Sequence, residues 1–178
     1  MLKLVLLDRD GVINHQSSNY IQAPSDWRPI KGSPEAIARL NGHDLIVAVC
    51  SNQSAVGRGI ITVEMLGAIN EKMTITLAAV GARLERIYTC PHHPNADCSC
   101  RKPKPGMLRK AMAAFNVTPA ETCFIGDSLS DIEAASAANC APFLVLTGHG
   151  RRDEIAARDL GLNQVHENLA TAVSSIVI

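Results

Sequence analysis

Leu4-Val5-Leu6-Leu7-Asp8-Arg9-Asp10-Gly11-Val12-Ile13-Asn14 sets four aliphatic residues in an unbroken row, then two carboxylates one residue apart, then a glycine. A continuous apolar run fits a strand buried on both faces, as in a parallel sheet, better than a half-exposed strand, which would alternate. The pattern recurs at Leu45 to Cys50, Arg86 to Thr89, Thr122 to Ile125 and Phe143 to Leu146, each run ending in polar or glycine-bearing residues. Helical patterns lie between them. Ser33 is expected to cap a helix with Pro34 at its first position, ending at Gly42. Val63, Leu66, Ile69, Met73, Leu77 and Val80 form one apolar stripe. Further helices are expected at Met107 to Phe115, at Ser130 to Ala138 and around Leu169, Val173 and Ile176. Strand and helix in alternation predict a doubly wound, mostly parallel α/β sheet of Rossmann type with helices on both faces. Ligands of such sheets bind beyond the carboxyl ends of the strands. Asp8 and Asp10, Ser51 and Asn52, Cys90 and His92, and Gly126 and Asp127 stand at those ends.

The chain has 178 residues, the length of one domain, so residues 1–178 are read as a single unit. Seventeen Lys+Arg balance seventeen Asp+Glu, so no net field draws nucleic acid or an anionic membrane. Three Phe, two Tyr and one Trp are too few for base-stacking platforms. No stretch approaches the roughly 20 apolar residues of a membrane span, and Met1 to Asp8 shows neither a long apolar h-region nor a small-residue cleavage site, so no secretory signal is expected. A cytoplasmic monomer acting on a small molecule is expected, with neither nucleic acid nor membrane as partner. About 40 residues separate Asp10 from Ser51, which leaves no room for a separate cap domain. The irregular segment from His15 to Gly32 is long enough to bind a ligand or cover a site.

Asp8 and Asp10 can reach one site if the chain turns at Gly11. Gly126-Asp127-Ser128-Leu129-Ser130-Asp131 brings more carboxylates to a neighbouring strand end. Such acids repel one another unless a cation sits among them, and an open set of oxygen ligands suits Mg²⁺. Mg²⁺ with carboxylates points to phosphoryl chemistry, for which Ser51-Asn52-Gln53-Ser54 and Arg101-Lys102 supply hydroxyl and cationic donors. Cys90-Pro91-His92-His93-Pro94-Asn95-Ala96-Asp97-Cys98-Ser99-Cys100 offers three thiolates and an imidazole, the closed donor set of a structural Zn²⁺ site over residues 90–100. His92 is preferred to His93 because its spacing from Cys90 matches that of Cys98 from Cys100. A zinc knot there would fix where Arg101 and Lys102 point. Cys50, Cys123 and Cys140 sit in apolar contexts and are read as core.

In that order, Asp8-Arg9-Asp10-Gly11, Ser51, Lys102 and Gly126-Asp127-Ser128-Leu129-Ser130-Asp131 resemble the four motifs of the haloacid dehalogenase superfamily of phosphohydrolases over nearly the full chain. The resemblance implies that Asp8 is the nucleophile and Asp10 the general acid and base. It implies Mg²⁺ on Asp8, Asp127 and the Asp10 carbonyl, phosphoryl stabilisation by Ser51 and Lys102, and Asp131 orienting Lys102. The zinc loop narrows it to two families, the heptose 1,7-bisphosphate 7-phosphatases of lipopolysaccharide-core precursor synthesis and the histidinol-phosphate phosphatases. Ser54 with Gly57-Arg58-Gly59, and the His92-His93-Pro94 doublet, look like the first; the second typically carries Asp where Ser54 stands. The resemblance implies substrate contacts from Ser17, Asn19, Tyr20, Asn52, Gln53, Ser54, Arg58, Arg101 and Ser128. Ser17-Ser18-Asn19 and the short zinc-loop spacer depart from the heptose pattern. From another class, a zinc-stabilised scaffold or nucleic-acid end-binding module is the alternative, opposed by the complete set of acids and by zero net charge.

Overall fold

The computed structural model describes residues 1–177. Six parallel strands form one sheet: β1 (Leu4–Leu7), β2 (Ile46–Asn52), β3 (Arg86–Cys90), β4 (Thr122–Gly126), β5 (Ala141–Val145) and β6 (Val165–His166). Their order is β3-β2-β1-β4-β5-β6, the doubly wound Rossmann order, with its switch point between β1 and β4. Leu7 pairs with Val49 on one side and Ile125 on the other, so Asp8 and Asp127 emerge side by side at that switch point.

Seven α-helices lie among the described residues: α1 (Ser33–Gly42), α2 (Ser54–Gly57), α3 (Val63–Ala78), α4 (Gly106–Phe115), α5 (Leu129–Ala137), α6 (Gly150–Asp159) and α7 (Leu169–Ile176). Strand side chains alternate between the two faces. Val5, Leu7, Val47 and Val49 pack beneath α1, α3 and α7, while Leu4, Leu6, Ala48 and Cys50 meet α4 and α5. All four residues of β1 are fully buried, as an uninterrupted apolar run demands. Leu66, Ile69, Met73 and Leu77 are the buried stripe of α3; of the expected end members, Val63 is exposed at the first residue of the helix and Val80 is exposed beyond its last. Cys50, Cys123 and Cys140 are buried.

Some local expectations need correction. Gly32, not Ser33, caps α1; the Ser33 hydroxyl instead donates to the Val12 carbonyl and ties the helix to the loop after β1. Short α2 and β6 carry too few residues for a periodic signal. α6 reads Gly-Arg-Arg-Asp-Glu-Ile-Ala-Ala-Arg-Asp, and its one apolar anchor with full burial is Ala157, so its charge hid it. Trp27 is buried in the segment from His15 to Gly32, which holds only a one-turn helix at Pro24–Asp26. Among the described residues, no helix is long and apolar enough to cross a membrane.

Candidate active site

The β1 carboxyl end delivers Asp8, whose Oδ1 accepts the Arg9 N–H at 2.7 Å. Lys102, from the loop before α4, lies with Nζ 3.0 Å from Asp8 Oδ2 and 2.7 Å from Asp131 Oδ1, its side chain only 1% exposed. Burial alone would lower the lysine, but the two carboxylates outweigh it and raise its pKa, so it is held as a cation. Asp131 is occupied on both oxygens: Oδ1 faces Lys102, and Oδ2 accepts the backbone N–H groups of Asp127 and Ser128 and the Ser128 hydroxyl. That leaves Asp131 to hold the start of α5 and the lysine in place.

Asp127 closes the group. Its Oδ2 accepts the His149 N–H at 2.8 Å, and it lies in a cradle between two glycines. Gly11 has φ +82°, and a Cβ on it would stand 2.0 Å from that oxygen, so no larger residue fits the turn that carries the first acids past it. Ligand oxygens of Asp8, Asp127 and Asp131 all lie within 4.8 Å of one another. Burial, then the Asp8 and Asp131 charges, push Asp127 up to about 8; burial and its acidic neighbours bring Asp8 to about 6 against the pull of Lys102. Acids that resist ionising together are the signature of a site completed by a cation, and with Asp131 already saturated, Asp8 and Asp127 are the side chains open to a hard divalent ion. The donor set fits Mg²⁺.

These groups line a cleft of about 280 Å³ together with Asp10, Ser51, Asn52, Arg101 and Ser128. A second cleft of about 100 Å³, lined by Ser17, Tyr20, Gln53 and Ser54 among others, opens beside Asp10. Asn52 bonds Lys102 in both directions, Oδ1 accepting its N–H and Nδ2 donating to its carbonyl at 3.1 Å each, so it pins the lysine's backbone. Arg58 and Asn19 are exposed and line neither cleft. Gln16, common to both clefts, and His149 and Arg152, on the wall of the larger one, were not singled out from sequence. The glycine-rich Thr147-Gly148-His149-Gly150 after an apolar run was the available signal for the last two.

The cysteine cluster forms a separate group. His92 Nδ1 lies 3.5 Å from Cys90 Sγ and 3.2 Å from Cys100 Sγ, and Cys90 Sγ is 3.5 Å from Cys98 Sγ. Tetrahedral zinc with bonds of about 2.3 Å to sulfur and about 2.0 Å to nitrogen spaces its ligand atoms roughly 3.5–3.8 Å apart. His93 turns away and accepts the Asn95 N–H. Burial opposes ionisation of Cys98, yet the Arg101 N–H and the neighbouring thiols and imidazole lower it to about 6. Burial and the Cys90 and Cys98 thiols push Cys100 up to about 12, so three thiolates require a cation. The four residues fit zinc. Gly57 of α2 approaches this loop so closely that a Cβ would stand 2.2 Å from the His93 nitrogen.

Residues 99–172 match the family described as HAD-hydrolase-like. A Bordetella bronchiseptica protein named D-glycero-beta-D-manno-heptose-1,7-bisphosphate 7-phosphatase is 44% identical over 151 residues, 85% of this chain and 84% of its own. The chain belongs to the HAD-like phosphatases. A Pseudomonas aeruginosa protein of the same name is 46% identical over 149 residues, 84% of each chain. The crystal structure of D,D-heptose 1,7-bisphosphate phosphatase from B. bronchiseptica, complexed with magnesium and phosphate, superposes with a TM-score of 0.93 at 41% identity over 98% of both chains. As a HAD-like phosphatase the chain is a phosphoric monoester hydrolase, and its six-stranded parallel sheet is the fold its sequence implied.

Proposed function

We propose that this enzyme removes the C7 phosphate of D-glycero-D-manno-heptose 1,7-bisphosphate, leaving the heptose 1-phosphate, as a step in making the activated heptose of the lipopolysaccharide core. The observation that carries the reading is the identity of 41–46% over most of the chain to relatives named for that reaction, in a fold that keeps Lys102 between Asp8 and Asp131 beside Asp127. Asp8 attacks phosphorus as the bond to the ester oxygen breaks, and Asp10 gives that oxygen its proton. Water then attacks the aspartyl phosphate, its proton passes to Asp10, and inorganic phosphate leaves with Asp8 restored. Ser51 and Lys102 hold the phosphoryl oxygens during both displacements.

Asp8, Asp127 and the Asp10 carbonyl would hold Mg²⁺, which neutralises phosphoryl charge when bound. Cys90, His92, Cys98 and Cys100 would hold a structural Zn²⁺ that fixes the adjacent Arg101 and Lys102. Ser17, Tyr20, Ser54 and Arg101 line the clefts where the sugar and its second phosphate are to be held, and Ser54 adds no carboxylate that would favour a cationic amine. We place the enzyme in the cytoplasm as a one-domain monomer. Its kcat/KM on the heptose bisphosphate is expected to exceed that on histidinol phosphate by about 10²-fold or more, in a head-to-head comparison of phosphate release. A preference for histidinol phosphate would overturn the assignment.

A further inference from the structure

Asp10 is enclosed by donors from three residues, Arg9 and Asn14 on the loop after β1 and Gln53 after β2. Its Oδ1 accepts from Asn14 Nδ2 at 2.8 Å and from Arg9 Nε at 3.2 Å; its Oδ2 accepts from Gln53 Nε2 at 2.8 Å and from Arg9 Nη2 at 3.0 Å. Gln53 has both of its N–H donors engaged and a partner on its carbonyl oxygen. Its Nε2 also donates to Ser51 Oγ at 3.0 Å, and its Oε1 accepts from Arg9 Nη2 at 2.9 Å. The amide orientation is forced, because a flip would point oxygen at the Asp10 carboxylate and NH₂ at the guanidinium. Arg9 is 1% exposed and Gln53 6%, and Arg9 reaches across to Asn70 on α3 at 3.2 Å, so the enclosure is anchored in the fold.

We infer that Gln53 is a positioning residue: its amide spans Asp10 and Ser51 and so sets the proton-transfer carboxyl in register with the phosphoryl-holding hydroxyl. Ser51 Oγ accepts from Gln53 Nε2, which leaves its own O–H hydrogen available to donate. Both of the hydrogens on Gln53 Nε2 are taken, so although the residue lines the smaller cleft it has no N–H left to donate to the sugar. This rests on the reading of Asp10 as the acid and base. Misplacing a reacting group by about 1 Å costs on the order of 10²-fold in rate.

The test uses Gln53→Met, close in length without polar atoms, and Gln53→Glu, the same shape with the donor to Asp10 replaced by an oxygen. Each is expected to lower kcat on the heptose ester about 10²-fold with KM within about threefold and the melting temperature nearly unchanged. Single-turnover cleavage separates positioning from a packing defect. An alkyl ester needs a proton on its leaving oxygen, whereas p-nitrophenyl phosphate does not, so the loss on the alkyl ester is expected to exceed that on the aryl ester by at least about tenfold. In an Asp10→Asn background that difference should vanish. Equal losses on both esters, full kcat in Gln53→Met, or a raised KM with kcat intact would each overturn the inference while Asp10→Asn kept only slow residual cleavage of the alkyl ester. Undiminished alkyl-ester turnover by Asp10→Asn would overturn the reading of Asp10 itself.

Discussion

Asp8→Asn is expected to stop phosphate release, lowering kcat by about 10⁴-fold or more, in a protein that melts no lower than the parent. The loss follows from chemistry: an amide cannot attack phosphorus, and no other carboxylate in the cleft can replace it. Asp131 has both oxygens occupied, Asp127 has one on the His149 N–H, and Asp10 is enclosed by Arg9, Asn14 and Gln53. The stability half follows from the sign of the Asp8 shift. Burial raises this carboxyl to about 6, so at neutral pH the fold carries an ionised group that it disfavours, and a neutral amide relieves that. Lys102 keeps Asp131 at 2.7 Å. Phosphate release and thermal melting without added Mg²⁺ check both halves; near-full activity in the variant would contradict the covalent route.

Stripping the cysteine loop should have the second large effect. Protein purified under reducing conditions is expected to hold about one zinc per chain. Chelation, or Cys98→Ser with Cys100→Ser, is expected to lower the melting temperature by about 10 °C or more and to abolish turnover. Zinc binding at such sites is folding free energy, and each kcal/mol shifts the melting temperature of a domain this size by roughly 2–4 °C. Activity falls with it because the Cys98 thiol accepts the Arg101 N–H, and Lys102 follows immediately in the chain. Elemental analysis beside calorimetry is the measurement. Metal-free protein with an unchanged melting temperature would contradict the zinc assignment.

The strands were legible because a sheet covered on both faces demands continuous apolar runs, and β1 is such a run. The switch point was legible by consequence, since the two acidic motifs follow strands that become neighbours. What escaped the sequence were features without periodicity or with borrowed stability. α6 hides behind its charges and is held by Ala157 and by its neighbours α5 and β5. The pairing of Asn52 with the backbone of Lys102 joins residues 50 apart in sequence, and nothing local in Ser51-Asn52-Gln53-Ser54 distinguishes a residue that faces substrate from one that braces the site. Arg9 shows the same limit. Its place between Asp8 and Asp10 suggests a structural residue, and only the fold brings it to Gln53, Asn70 and Asp10 at once.

The most direct test is product analysis by ³¹P nuclear magnetic resonance with D-glycero-D-manno-heptose 1,7-bisphosphate as the substrate. The account predicts release of one inorganic phosphate per sugar, loss of the C7 phosphomonoester signal and retention of the anomeric C1 phosphate. Release of the C1 phosphate with the C7 ester intact, or no release at all, would contradict it.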